Sequence, residues 1–214
     1  MTSKPLARRT LLATAAGLAV APFVATGTAH AAVPKIYIDP GHGGTDPGAS
    51  ANGLQEKNVT LNIALQVRNI LTSTYGAGVA VRMSRTTDIT RSLQFRTDDA
   101  NAWGANIFIS IHINAGGGTG FESYRYPGVG STTVRLHNLM HSNVIAGMRT
   151  VASVTDRGQK TANFHVLRET VMPAVLTENL FVDTVADANK LKNPAFITAT
   201  ARGHANGIAR FFGI

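Results

Sequence analysis

Asn106-Ile107-Phe108-Ile109-Ser110-Ile111-His112 is the stretch on which the fold turns. It is rich in β-branched residues, apolar almost without a break up to Ser110, and ends in a histidine. A run of this kind reads as a parallel strand covered on both faces. Upstream, Lys35-Ile36-Tyr37-Ile38-Asp39 is a second strand, stopped by Pro40-Gly41. Val79-Ala80-Val81-Arg82-Met83, Phe121–Tyr126 and Ala174-Val175-Leu176-Thr177 supply three more. Between them lie helical recurrences. In Lys57–Ser73 the apolar positions are Val59, Ile63, Val67, Ile70 and Leu71, with Asn58 or Thr60 available as a cap. Further helices are predicted over Leu93–Trp103, Thr132–Val151 and Pro194–Phe212, and Gly116–Gly120 reads as a flexible loop. Strands alternating with helices predict an α/β fold: a single domain with a mainly parallel twisted sheet and helices on both faces.

The composition narrows the chemistry. The chain has 214 residues, 44% of them hydrophobic and 15% charged, which excludes a disordered polymer. Cysteine is absent, so disulfides, thiolate metal sites and a cysteine nucleophile are excluded, and any metal must rest on histidine and carboxylate. Lys and Arg number 20 against 12 acids, a net charge of +8 that favours anionic surroundings. The cations are scattered, without the aromatic interleaving that stacks bases, so nucleic acid is disfavoured.

The first residues form a separate unit of meaning. Arg8-Arg9 precedes Leu11-Leu12, a short apolar stretch follows to Ala21, and the segment closes on Ala29-His30-Ala31. A charged start, an apolar middle and an A-x-A end describe a secretory signal peptide, and the arginine pair resembles a twin-arginine signal. The expected division is a signal over residues 1–31 and a catalytic domain over 32–214. Gly17, Pro22 and the short apolar run argue against a lasting membrane anchor.

In open α/β sheets ligands bind beyond the carboxyl ends of the strands. His42 falls in the loop after the strand at Ile36–Asp39, His112 ends the central strand, and Glu178 follows Thr177 at the end of another. Glu56 opens the helix that follows the His42 loop. Two imidazoles and a carboxylate at one edge make the ligand set of a hydrolytic zinc site, and a second carboxylate beside them would serve as general base. Each has an ordinary alternative. A histidine at a strand end can be structural, Glu56 can oppose a helix dipole, and Glu178 can pair with Arg168 or Lys160. Gly41-His42-Gly43-Gly44 fits neither of the common phosphate-loop patterns. His165 is placed to line the cleft and steady an oxyanion, or to be structural. His137 and His141 lack the glutamate of a H-E-x-x-H motif and read as a solvated helix face. His204 reads as structural.

A resemblance covers nearly all of the chain beyond Ala31. Ile38-Asp39-Pro40-Gly41-His42-Gly43-Gly44, then Asp46-Pro47-Gly48 and Glu56-Lys57, resembles the opening of zinc-dependent N-acetylmuramoyl-L-alanine amidases of the amidase-3 type. Ser84-Arg85-Thr86-Thr87-Asp88, Leu93-Gln94-Phe95-Arg96 and Ser110-Ile111-His112-Ile113-Asn114-Ala115 resemble later blocks of that family. Val166-Leu167-Arg168, Met172-Pro173-Ala174-Val175-Leu176 and Glu178 resemble its last block. The chain departs from the family at Ile113, expected to crowd one wall of the cleft, and at Asn179-Leu180-Phe181, beside Glu178.

The resemblance implies Zn²⁺ held by His42, Glu56 and His112, with Glu178 as the catalytic carboxylate. It implies hydrolysis of the amide between N-acetylmuramic acid and L-alanine in peptidoglycan, by a secreted enzyme acting in the cell wall or periplasm. A monomer with an uncovered cleft is expected. The competing readings are a zinc peptidase or deacetylase acting on other wall bonds, and a non-catalytic wall-binding module.

Overall fold

The central strand and its neighbours hold the molecule together. In the computed structural model, which describes Met1, Thr2 and residues 32–214, the chain from Ala32 onward forms one compact unit. The export signal expected over residues 1–31 lies, beyond Met1 and Thr2, outside the described residues. The elements in order are β1 (Lys35–Pro40), a small hairpin of β2 (Ser50–Ala51) and β3 (Leu54–Gln55), α1 (Glu56–Tyr75), β4 (Ala80–Met83), α2 (Leu93–Trp103), β5 (Ile107–Asn114), β6 (Phe121–Arg125) and α3 (Ser131–Arg149). They continue through β7 (Asp156–Thr161), α4 (His165–Arg168), β8 (Ala174–Phe181), α5 (Val185–Leu191) and α6 (Pro194–Phe212).

Six strands form one sheet in the order β4-β1-β5-β8-β6-β7. Every neighbouring pair is parallel except β6–β8. The fold class read from the sequence therefore holds, with one antiparallel step where β6 returns beside β8. Successive side chains of a strand point to opposite faces. Ile107, Ile109, Ile111 and Ile113 of β5 join the core cluster shared with α1, α3 and α6. Phe108 joins the smaller cluster on the other face, with Tyr37, Ala100, Val166, Leu167 and Leu176 from β1, α2, α4 and β8. His112 lies on the Phe108 face. Glu178 is its register partner on β8, so the two side chains stand next to each other on one side of the sheet.

The differences from the sequence reading have physical causes. Gln55, not Asn58 or Thr60, is the residue before α1, and no side chain caps that end. Thr60 is buried, and its Oγ1 donates to the Gly41 carbonyl at 2.9 Å, in service of the site rather than the helix. Strand β8 runs on past Glu178 to Phe181, so Glu178 sits within the strand. Strand β7 was not expected. Asp156-Arg157-Gly158-Gln159-Lys160-Thr161 carries no apolar alternation because it is the sheet edge, held by its ladder with β6 and well exposed.

Candidate active site

The His42 loop is fixed from beneath by a buried polar cluster. Asp39, the next-to-last residue of β1, is fully buried. Its Oδ1 accepts from Arg96 Nη1 and from Ser84 Oγ at 2.6 Å each, and its Oδ2 accepts from Ser110 Oγ at 2.8 Å. Arg96 also donates to the carbonyls of Pro40 and His42 at 2.8 Å, and Arg85 donates to those of Pro40, Gly41 and Lys57 at 3.1, 2.8 and 2.8 Å. Two guanidiniums thus satisfy most of the carbonyls of a turn that departs from regular structure, a geometry suited to Arg rather than Lys. The loop itself is strained: His42 has φ 61°, unusual for a residue with a side chain. Gly41 is needed for close approach, since a Cβ there would lie 2.3 Å from the His112 ring. At Gly48, with φ +62°, a Cβ would lie 2.6 Å from Glu56 Oε2.

The structure brings His42, Glu56 and His112 together. One potential ligand atom from each lies within 4.8 Å of the other two. Glu56, at the start of α1, stands between the imidazoles: Oε2 is 3.1 Å from His42 Nε2 and Oε1 is 3.0 Å from His112 Nδ1. Donors on a tetrahedral zinc ion at about 2.0–2.1 Å sit roughly 3.3 Å from one another, so the spacing suits such an ion. The far sides of the donors are braced. His42 Nδ1 lies 2.8 Å from Asp46 Oδ2, while Glu56 accepts from the backbone amides of Ala49 at 3.0 Å and Ile113 at 2.9 Å. Burial alone would raise the Glu56 carboxyl, but the hydrogen bonds of His112 and His42 outweigh it and hold the group well below the usual carboxylate range. Burial opposes charge on His42, yet its hydrogen bond to Glu56 and the charges of Glu56 and Asp46 push it up to about 8.

Beside the trio lies a cleft of about 610 Å³ lined by His42, His112, His165, Leu176 and Glu178. It is open to solvent, since the side chains of His42 and His112 are 25% and 20% exposed. Burial pushes the Glu178 carboxyl up to about 7, the charge of Glu56 adding to the rise and that of His112 opposing it. Glu178 Oε2 is buried with no hydrogen-bond partner, and so is His165 Nε2. Neither Arg168 nor Lys160 pairs with Glu178: Arg168 pairs with Glu169, and Lys160 with Glu122. An orphaned carboxylate oxygen beside a cluster of nitrogen and oxygen donors is what a water-activating site requires.

Other expectations change. Ile113 does not crowd the cleft; its side chain joins the core on the opposite face, and only its amide serves the site. His137 and His141 are not on a solvated face. Both are buried on the sheet side of α3, where Ser123 Oγ lies 2.7 Å from His137 Nε2 and 2.8 Å from His141 Nδ1. His204 is fully buried, bonded to Thr177 Oγ1 and the Thr200 carbonyl. Sequence reasoning missed Asp46, whose contact with His42 is foreshadowed only by its place four residues on in the same loop.

A parallel sheet that gathers two histidines and a glutamate at its carboxyl edge, with a further carboxylate beside them, has the architecture of a metal-dependent hydrolase. The chain belongs to the amidase-3 family of N-acetylmuramoyl-L-alanine amidases, matching it over residues 36–210. It is 61% identical over 180 residues to the N-acetylmuramoyl-L-alanine amidase CwlM of Bacillus licheniformis, an alignment spanning 84% of this chain and 69% of that one. It is 59% identical, with the same coverage, to the sporulation-specific N-acetylmuramoyl-L-alanine amidase of Bacillus subtilis (strain 168). Among solved structures, the catalytic domain of CwlV from Bacillus (Paenibacillus) polymyxa var. colistinus superposes with a TM-score of 0.78 at 32% identity, covering 85% of this chain and 99% of that one. The N-acetylmuramoyl-L-alanine amidase of Clostridium difficile 630 gives a TM-score of 0.79 at 32% identity, covering 85% and 97%. The chain is thus a peptidoglycan-hydrolysing amidase of a metal-dependent family.

Proposed function

We propose that this amidase works with zinc held by His42, Glu56 and His112, and that Glu178 is its catalytic carboxylate. The observation that carries the reading is the convergence of the three donor groups within 4.8 Å, next to a buried Glu178 oxygen that nothing else satisfies. When bound, zinc supplies a Lewis acid that brings the pKa of water toward about 7 and polarises the scissile carbonyl. His42 offers Nε2 because Asp46 accepts from Nδ1, which sets the tautomer and aims the ring. Glu56 contributes the single negative charge of the donor set, with its orientation fixed by two backbone amides. Glu178 takes the proton of the attacking water and returns it to the nitrogen of the departing L-alanine. Burial raises the Glu178 carboxyl above the usual carboxylate range, which favours a group that both takes up and returns a proton.

The same reading places the enzyme outside the cytoplasmic membrane, where its substrate lies. Residues 1–31 would act as a twin-arginine export signal, and residues 32–214 as a monomeric mature enzyme without an anchor. Among the described residues no helix is long and apolar enough to cross a membrane.

The test is product chemistry. Purified peptidoglycan digested by the enzyme is expected to release stem peptides bearing a free N-terminal L-alanine, with one zinc per chain by elemental analysis. Release of acetate, or cleavage between two amino acids, would replace this reading with a deacetylase or a peptidase. Wall binding without any product would leave a non-catalytic module.

A further inference from the structure

Helices α3 and α6 pack closely because glycines let their backbones approach. A Cβ on Gly147 would lie 2.6 Å from the Ala199 carbonyl, and one on Gly203 would lie 2.7 Å from that of Asn143. The outer seam between the two helices carries two adjoining depressions, of about 740 and 590 Å³, which share Arg210. None of their lining residues lines the catalytic cleft. Three guanidiniums border them, from Arg135, Arg202 and Arg210, all on exposed residues. Neither α3 nor α6 contains an acidic residue along its 19 positions. Among the described residues, none of the three arginines takes part in an ion pair.

We infer that this seam is a second binding site, separate from the catalytic cleft, for a polyol-phosphate polymer of the cell wall. Arg202, Asn206 and Arg210 recur at every fourth residue along α6, so they stand in one row. The two arginines are about 12 Å apart along the axis, a span suited to alternate rather than adjacent phosphates of an extended glycerol phosphate chain. Guanidinium forks suit phosphate oxygens, and the amides of Asn138 and Asn206 offer donors and acceptors to polyol hydroxyls. No aromatic ring lines either depression, and the nearby Phe211 ring is already covered by the Arg135 guanidinium at 4.8 Å, which disfavours nucleic acid as the occupant. The choice of a wall polymer rests on the peptidoglycan reading above. Held there, the enzyme would stay on the wall while the cleft turns over its substrate.

The experiment measures binding apart from catalysis. Poly(glycerol phosphate) is titrated against the full-length protein at several salt concentrations, and hydrolysis of a soluble muropeptide is followed in parallel. Arg202→Gln with Arg210→Gln is expected to weaken binding at least tenfold and to flatten its salt dependence, because fewer counterions are released. Muropeptide hydrolysis should stay unchanged. Arg68→Gln with Arg82→Gln, which removes the same charge from α1 and β4, should leave binding within twofold. Equal weakening by both double variants would overturn the site, since net charge alone would then explain binding. Single-stranded DNA of matched length binding as tightly as poly(glycerol phosphate) would overturn it too. Failure of muropeptide hydrolysis in the unaltered protein would count against the amidase reading and leave the binding result to stand alone.

Discussion

Among the described residues two pairs of histidines each meet across one small oxygen-bearing group, and the pairs have opposite fates. His42 and His112 come from distant parts of the chain, lie with ring centroids 5.0 Å apart, and face the Glu56 carboxylate at the mouth of an open cleft. His137 and His141 sit one helical turn apart, with centroids at 6.5 Å, and face the Ser123 hydroxyl in the interior. In the second pair every ring nitrogen has a partner that fits a neutral ring. Arg125 donates to His137 Nδ1 at 3.0 Å, His137 Nε2 donates to Ser123, Ser123 donates to His141 Nδ1, and His141 Nε2 donates to Asp156 at 2.9 Å. The order Asp156-His141-Ser123 mimics a hydrolytic triad, yet Ser123 is fully buried and none of the three lines the catalytic cleft. Spacing along the chain thus points to the pair that the fold buries and satisfies internally. A shared carboxylate and solvent access mark one pair as a candidate metal site, and a satisfied hydroxyl chain marks the other as structure.

The sharpest way to break this contrast is to delete one histidine from each pair. His112→Ala is expected to abolish peptidoglycan hydrolysis and strip the zinc, while thermal unfolding of the chelated protein changes little. His141→Ala should do the reverse. It leaves Ser123 and Asp156 without their partner, costing about 2–4 kcal/mol of stability, with zinc content and turnover preserved. Elemental analysis and denaturant melts on both variants decide it, and metal loss in His141→Ala would erase the distinction.

Next in size is Glu178→Gln, which keeps the shape of the side chain but removes its basicity. Turnover should fall by about 10²–10⁴-fold with zinc retained. Loss of zinc together with activity would make Glu178 a ligand rather than a base. In the sequence that assignment comes from the family resemblance alone, because His42, Glu56, His112 and Glu178 are far apart along the chain and their convergence rests on the predicted sheet. The fold gives the two carboxylates different positions: Glu178 stands beside His112 on the next strand, while Glu56 reaches in from the start of α1 between the two rings. The core strands were legible because their side chains are largely apolar, and α1 because Val59, Ile63, Val67, Ile70 and Leu71 recur at helical spacing. Strand β7, the buried side of α3 and the arginines beneath the His42 loop were not legible, because each depends on polar partners that only the folded chain brings together.

The buried histidines also set a pH window. Burial, with the Arg125 charge adding to it, lowers His137 to about 4, and burial lowers His204 to about 4. Both folded values lie below the unfolded value of about 6.5, so the unfolded chain takes up protons first as the solution is acidified. Stability is therefore full above pH 6.5 and is lost progressively toward pH 4, by about 2 kcal/mol per histidine at pH 5. Most carboxylates titrate below that window. Urea melts at pH 7 and pH 5 should show the loss in the parent protein and a smaller one in His204→Gln. An unchanged slope in His204→Gln would mean that this histidine is already charged in the fold.

The smallest expected effect concerns Asp46, which touches His42 but is not one of the three gathered donors. Its Oδ2 lies 2.8 Å from His42 Nδ1, and its Oδ1 accepts from the Gly48 amide at 3.1 Å, so it is itself held in place. Asp46→Asn keeps the size of the group and can still accept a hydrogen bond, but it removes the negative charge that makes His42 a stronger donor to a metal. A second partner of this kind is worth about 10–100-fold in metal affinity. Competition with a chromogenic chelator should show zinc held that much more weakly, with turnover at saturating zinc reduced far less than in Glu178→Gln. The corresponding change in the other histidine pair, Asp156→Asn, should leave zinc affinity untouched, because the carboxylate at the end of that chain braces a ring that faces no metal. Weaker zinc binding in Asp156→Asn would show that the two networks are coupled through the sheet.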